Sequence, residues 1–116
     1  LGALSGGRFM IALNSSSMAI SALTIAIRYC CVRRQFNNSP NEVENLLIEY
    51  PLTKRRLMPL LAQAVIYQSG NLDIAKVWDK NYLNILNPTN KIIQELHAIS
   101  SAIKPKSGWF ATETIK

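Results

Sequence analysis

From Phe9 to Val32 the chain passes through about two dozen mostly apolar and small residues, and neither proline nor glycine interrupts it between Arg8 and Phe36. A stretch of that length makes seven or more helical turns, so the pattern predicts one long helix over 8–36. Roughly twenty consecutive apolar residues can also span a bilayer. Asn14, Ser15, Ser16, Ser17 and Arg28 oppose that reading, and small side chains let neighbouring helix backbones come close. The expectation is a helix buried on most sides of a bundle, with no membrane span.

Ser39-Pro40-Asn41-Glu42 fits a helix start, with a serine cap, proline in the first helical position and a glutamate to close a capping box. A short helical turn is expected there. Pro51 disfavours helical geometry at Tyr50 and suits the first turn of a second long helix, expected to reach about Ser69 with a kink at Pro59. Ser69-Gly70-Asn71 reads as a break, Leu72 to Leu86 as a further apolar helical segment, and Asn87-Pro88-Thr89-Asn90 as a loop. A last helix should begin near Asn90, carry Ile92, Ile93, Leu96, Ile99 and Ile103 on one stripe, and bend past Pro105 towards Ile115. No β-alternation, repeat or low-complexity tract competes. The fold class expected is all-α, a bundle of about four long antiparallel helices.

Composition agrees with one folded domain: 116 residues, 48% apolar and 17% charged. Thirteen Lys and Arg against seven Asp and Glu give +6, which favours a polyanionic partner such as nucleic acid, anionic lipid or a phosphate-bearing cofactor or substrate. The basic residues are scattered from Arg8 to Lys116 and form no aromatic-interleaved stripe, so a basic module for nucleic acid or a membrane surface is the weaker alternative. Cys30 and Cys31 are sequence neighbours and cannot form an ordinary structural disulfide with each other, which points to a reducing compartment. His97 is the sole histidine and no second cysteine pair exists, so no metal site is expected. On its helix His97 reads as a packed or hydrogen-bonded side chain. Trp78 and Trp109 read as core or interface anchors, Met10, Met18 and Met58 as core fillers, and Lys54-Arg55-Arg56 as a solvated helix face or part of a dimer interface.

The long apolar segment ends in Arg33-Arg34-Gln35-Phe36. Cations at a helix carboxyl end complement its unpaired carbonyls. The same residues suit a docked dinucleotide: guanidinium forks for phosphate oxygens, an amide, and a flat apolar face.

Arg33-Arg34-Gln35-Phe36, closing an Ala/Ile/Ser-rich helix that starts just after Gly6-Gly7-Arg8, resembles the third domain of the acyl-CoA dehydrogenase and oxidase superfamily. Further segments are similar to the peroxisomal acyl-CoA oxidases. These are Leu1 to Arg8, Ile25-Ala26-Ile27-Arg28-Tyr29, Glu49-Tyr50-Pro51-Leu52 with Arg56 to Ala62, and Leu96-His97-Ala98-Ile99-Ser100 with Lys104-Pro105 and Trp109. The Tyr50-Pro51 pair looks more like the oxidases of branched-chain substrates, of pristanoyl type.

The resemblance implies a domain like the carboxyl-terminal helical domain of the acyl-CoA dehydrogenases, in a flavoenzyme of peroxisomal fatty-acid β-oxidation. There FAD takes a hydride from the β-carbon of an acyl-CoA after a carboxylate removes the α-proton, and dioxygen reoxidises the flavin to give hydrogen peroxide. By family position Arg33 and Gln35 would contact the pyrophosphate region of an FAD held mainly by the partner subunit of a homodimer. Phe36 would pack beside it, and Arg8 would lie near the CoA of the substrate. Relatives among the dehydrogenases often carry Gln where Pro51 stands, so no side-chain contact to the flavin is expected there. No catalytic residue is assigned, because none of Glu42, Glu44, Glu49, Glu95 or Glu113 matches the family's base, expected downstream of Lys116. Residues 1–116 are accordingly expected to be a fragment of a larger multidomain enzyme, inactive alone. The alternative within the superfamily is a dehydrogenase that passes electrons to a flavoprotein.

Overall fold

The structure, a computed structural model, describes residues 2–37, 39–84 and 89–116. Leu1, Asn38 and residues 85–88 lie outside the described residues, and with them the expected Asn87-Pro88 loop and the last part of the expected Leu72–Leu86 helix. Three helices carry the chain: α1 (Gly2–Val32), α2 (Pro51–Lys80) and α3 (Lys91–Ile115), with single 3-10 turns at Leu47–Glu49 and Tyr82–Asn84. The all-α expectation holds, with three long helices among the described residues in place of about four.

The helix count differs at Gly70. The expected break at Ser69-Gly70-Asn71 does not occur, and α2 runs through it from Pro51 to Lys80. A glycine in a helix interior costs only about 1 kcal/mol. Against that, Asn71 is fully buried and its Nδ2 donates to Ser16 Oγ at 2.9 Å, so tertiary contact holds the helix where local propensity is weakest. The start of α2 is as expected, with Tyr50 extended and Pro51 in the first turn. Asn90 caps α3 by accepting from the Ile92 amide at 3.0 Å, and α3 continues through Pro105 to Ile115.

Two expected helical stretches are not helical. α1 stops at Val32, not Phe36, because 33–37 turns extended and pairs with 44–47. Ser39-Pro40-Asn41-Glu42 forms a plain turn, closed by the Glu42 amide donating to Ser39 O at 3.0 Å. The helical turn comes later, at Leu47–Glu49, where Glu49 Oε2 accepts from the Leu46 amide at 3.1 Å.

Burial on α1 follows one narrow stripe, Ser5, Phe9, Ala12, Ser16, Ala19 and Leu23, at alternating spacings of four and three. That is a coiled-coil seam, narrower than the many-sided burial expected. Leu4, Met10, Ile11, Met18, Ile25 and Val32 are exposed. The buried serines are tolerated because their hydroxyls are satisfied: Ser16 donates to the Ala12 carbonyl at 3.0 Å and Ser5 Oγ lies 2.6 Å from His97 Nδ1, while the exposed Ser17, Ser21 and Thr24 donate to the carbonyl four residues back. Leu4–Val32 is long and apolar enough to cross a bilayer by length and composition; in the fold it is the helix on which both others pack.

Consecutive helices run antiparallel, as expected. α1 and α2 are antiparallel: Phe9 stacks on Trp78 with ring centroids 6.3 Å apart, Ser16 bonds Asn71, and Leu23 shares a core cluster with Ala64, three pairs whose numbers each sum to 87. α1 and α3 are parallel, since Ser5 meets His97 and Arg8 meets Ser101 at a nearly constant offset. α1 packs mainly on α3, and α2 barely touches α3 beyond the Tyr67–Phe110 stack. The result is a slab of 71 × 21 × 16 Å. Its radius of gyration is 19.6 Å, where a compact chain of this length would have about 13 Å.

Two glycines test this packing. A Cβ at Gly70 meets nothing within 4 Å, so Gly70→Ala is expected to stabilise the chain by about 0.5–1 kcal/mol. A Cβ at Gly6 comes to 3.2 Å from the Trp78 ring, so Gly6→Ala is expected to lose that gain or to destabilise. Urea midpoints at unchanged m-value measure both.

Candidate functional site

The four residues singled out by sequence lie at two ends of α1. Arg8 and Arg33 are separated by twenty-five positions of nearly continuous helix, or about 37 Å. One chain does not bring them together.

At the amino-terminal end, Ser5 is buried against α3, with its Oγ 2.6 Å from His97 Nδ1. One helical turn on, Arg8 Nη1 donates to Ser101 Oγ at 3.0 Å and lies 3.4 Å from His97 Nε2. The His97 backbone carbonyl in turn accepts from Ser100 and Ser101. His97 is therefore hydrogen-bonded, as expected, but by α1 and not by its own neighbours in sequence. This cluster fixes one edge of the guanidinium and leaves the rest facing a cleft of about 520 Å³, lined by Ile11, Ser101, Lys104, Gly108 and Trp109. Two cations, a hydroxyl and an indole share that wall, a set able to hold a phosphate beside a flat ring. Sequence reading did not group Lys104 or Trp109 with Arg8; the parallel register of α3 does. Trp109 is 69% exposed, which removes it from the core and leaves it as a surface anchor.

At the other end, Arg33-Arg34-Gln35-Phe36 forms an extended ledge. The Gln35 amide donates to Asn45 O at 3.0 Å, the Asn45 amide to Phe36 O at 2.8 Å, and the Leu47 amide to Arg33 O at 2.9 Å. Arg34 is used structurally, its Nη1 donating to Glu44 O at 2.7 Å. Tyr50 Oη donates to Gln35 O at 2.7 Å and ties the ledge to the start of α2. Phe36 has φ 60, the only positive φ on a non-glycine residue among the described residues, and its ring is 67% exposed. The Arg33 side chain is exposed and makes no hydrogen bond or ion pair among the described residues. With the backbone pinned on one side, the Arg33 fork, the Gln35 side-chain carboxamide and the Phe36 ring are left exposed on the other. Those groups fit a dinucleotide, which needs donors for its pyrophosphate and an apolar surface for its rings. The partners Glu44, Asn45 and Leu47 that build the ledge carry no motif; only the Tyr50-Pro51 pair marked the place.

No group of three or more His, Cys, Asp or Glu suited to a metal ion occurs among the described residues.

Comparison with known proteins gives a consistent result. Residues 1–116 match the family of the acyl-CoA oxidase C-alpha1 domain. Acyl-coenzyme A oxidase 2 of Yarrowia lipolytica is 32% identical over 98% of this chain and 18% of its own length. Acyl-coenzyme A oxidase 3, peroxisomal, of Arabidopsis thaliana is 34% identical over 97% of this chain and 16% of its own. The crystal structure of acyl-coA oxidase1 from Yarrowia lipolytica superposes with a TM-score of 0.83 at 35% identity, over 97% of this chain and 18% of that one. The chain thus spans less than a fifth of the length of these relatives.

The hydroxyl of Tyr50 offers a test of the ledge. Tyr50→Phe is expected to cost about 1 kcal/mol and to speed hydrogen exchange at the Gln35 and Asn45 amides roughly fivefold, with the α3 amides unchanged.

Proposed function

The chain belongs to the acyl-CoA oxidase family, and from that membership we propose that it is the C-alpha1 helical domain of a larger FAD-dependent oxidase. The whole enzyme converts acyl-CoA to trans-2-enoyl-CoA and dioxygen to hydrogen peroxide, as a peroxisomal homodimer in fatty-acid β-oxidation. The observation that carries this is the match over the full chain together with the ledge at 33–36. In this reading Arg33 and Gln35 hold the FAD pyrophosphate and Phe36 covers its edge. Arg8, with Lys104 and Trp109 beside it, receives the phosphate-bearing end of CoA. The flavin supplies hydride acceptance and reoxidation by dioxygen. This chain supplies binding and orientation, and no carboxylate in it is assigned as the base. Because Arg8 and Arg33 lie about 37 Å apart along α1, substrate and cofactor contacts come from opposite ends of the domain.

In the full-length polypeptide, Arg33→Ala should lower FAD affinity tenfold to a hundredfold, about 1.5–3 kcal/mol, and Arg33→Lys should recover only part of it. A cation that merely complements the helix end would instead cost about 0.3–1 kcal/mol of stability and leave flavin retention unchanged. Flavin content after gel filtration, read beside thermal stability, separates the two. Oxygen uptake with stoichiometric peroxide on acyl-CoA tests the oxidase assignment. Turnover only with an electron-accepting flavoprotein would move the protein to the dehydrogenase branch.

A further inference from the structure

Arg8 is half-buried between α1 and α3, and it makes no ion pair among the described residues. Its partners are neutral: the Ser101 hydroxyl at 3.0 Å and the His97 ring. A guanidinium with a purely structural task is ordinarily paired with a carboxylate, which satisfies its donors and offsets its charge. Arg8 has no such partner. Among the described residues no carboxylate lines the adjoining cleft, and Lys104 adds a second cation to the same wall. Arg8 is thus fixed in place with its charge left over for an anion.

The His97 ring does most of the fixing. Arg8 Nη1 lies 3.5 Å from its Nδ1 and 3.4 Å from its Nε2. A nitrogen about equally far from both ring nitrogens is either over the face of the imidazole or in its plane beside Cε1, and in the plane it would collide with that carbon. Nη1 therefore rests over the face, the position a guanidinium takes when it stacks on an aromatic ring. The ring is anchored at its edge, because Ser5, fully buried on α1, puts its Oγ 2.6 Å from Nδ1. Ser5 and Arg8 stand one turn apart on α1, so one side chain of α3 is held at its edge by the first and carries the second on its face. Imidazole supplies both features. Phenylalanine would keep the face alone, and glutamine the polar atoms alone.

We propose that His97 is a positioning residue for Arg8, its ring face aiming the charged guanidinium into the cleft at a phosphate of the substrate's CoA. This deepens the assignment of Arg8 to the CoA end and rests on it. An arginine free in solvent loses rotamer entropy when a ligand orders it, whereas one already laid on a ring has less to lose. In this role His97 touches neither substrate nor reacting atoms. Its effect is carried by Arg8 and falls on substrate affinity, with the chemical step unaffected.

The experiment uses the full-length polypeptide and compares an acyl-CoA with the same acyl group on pantetheine, which has no phosphate. Arg8→Ala should raise KM for acyl-CoA roughly tenfold to a hundredfold and leave KM for acyl-pantetheine within about twofold. His97→Gln, which keeps a partner for the buried Ser5 hydroxyl, should raise KM for acyl-CoA about tenfold with kcat within about twofold. His97→Phe, which keeps the face, should stay within about threefold of the parent. Added to Arg8→Ala, His97→Gln should raise KM no further, because its only route of action is gone. An unchanged KM in Arg8→Ala overturns the CoA assignment and this proposal with it. A large effect of Arg8→Ala beside a silent His97→Gln overturns the positioning role and leaves the CoA assignment standing, and so does a His97→Gln that lowers only the melting temperature. Equal rises with both thioesters, or a full further rise on the Arg8→Ala background, mark a general structural role and overturn the proposal. A His97→Phe as impaired as His97→Gln overturns the part played by the ring face.

Discussion

α1 has one narrow stripe of small side chains, and two helices must pack on it. Ser5, Ala12, Ser16 and Ala19 keep the backbones close. Their placement decides the rest: among the described residues, Phe9 and Leu23 are the only large side chains fully sunk along α1, so α2 and α3 must bring the bulk. They do so as Trp78 beside Phe9 at one level and as Tyr67 stacked on Phe110 at another. A buried serine in such a seam costs little only when its hydroxyl is bonded, and the i−4 carbonyls of the same helix provide that. Ser16 then has its oxygen left to accept from Asn71, and this bond sets the height at which α2 crosses.

That division of labour explains which parts of the fold were legible in the sequence. Helical periodicity and the Pro51 and Asn90 starts are local signals, and they hold. Gly70 misleads because its cost is local while the restraint on Asn71 comes from fifty-five positions away. Ser39-Pro40 misleads in the opposite sense. Its capping residues are in place, but an extended pairing between 33–37 and 44–47 claims the chain on either side. The site divides the same way. Arg8 and Arg33 were found from motif, whereas His97, Ser101, Lys104 and Trp109 join Arg8 only through the parallel register of α1 and α3. No pattern within α3 alone encodes that register.

The large radius of gyration and the exposed apolar residues describe the same property at two scales. A slab only 16 Å thick cannot enclose a core, since each helix has neighbours on one or two sides. Apolar residues such as Met18, Val65 and Leu72 are therefore exposed because the layer is unfinished. They are the apolar counterpart of 33–36, where the backbone is pinned and the side chains are left exposed.

Phe36 carries a consequence for anyone improving this protein. A bulky residue at φ 60 sits in a region that L side chains avoid, at a cost of the order of 1 kcal/mol or more, while glycine or asparagine would rest there comfortably. Its ring is mostly in solvent, so the domain receives little packing in return. A screen that scores only thermostability would therefore enrich Phe36→Gly early and rank it as a success. The selected variants would be firmer and would have lost the aromatic face of the ledge. Position 36 is one where the sequence kept a shape at the expense of robustness, and directed evolution should hold it constant.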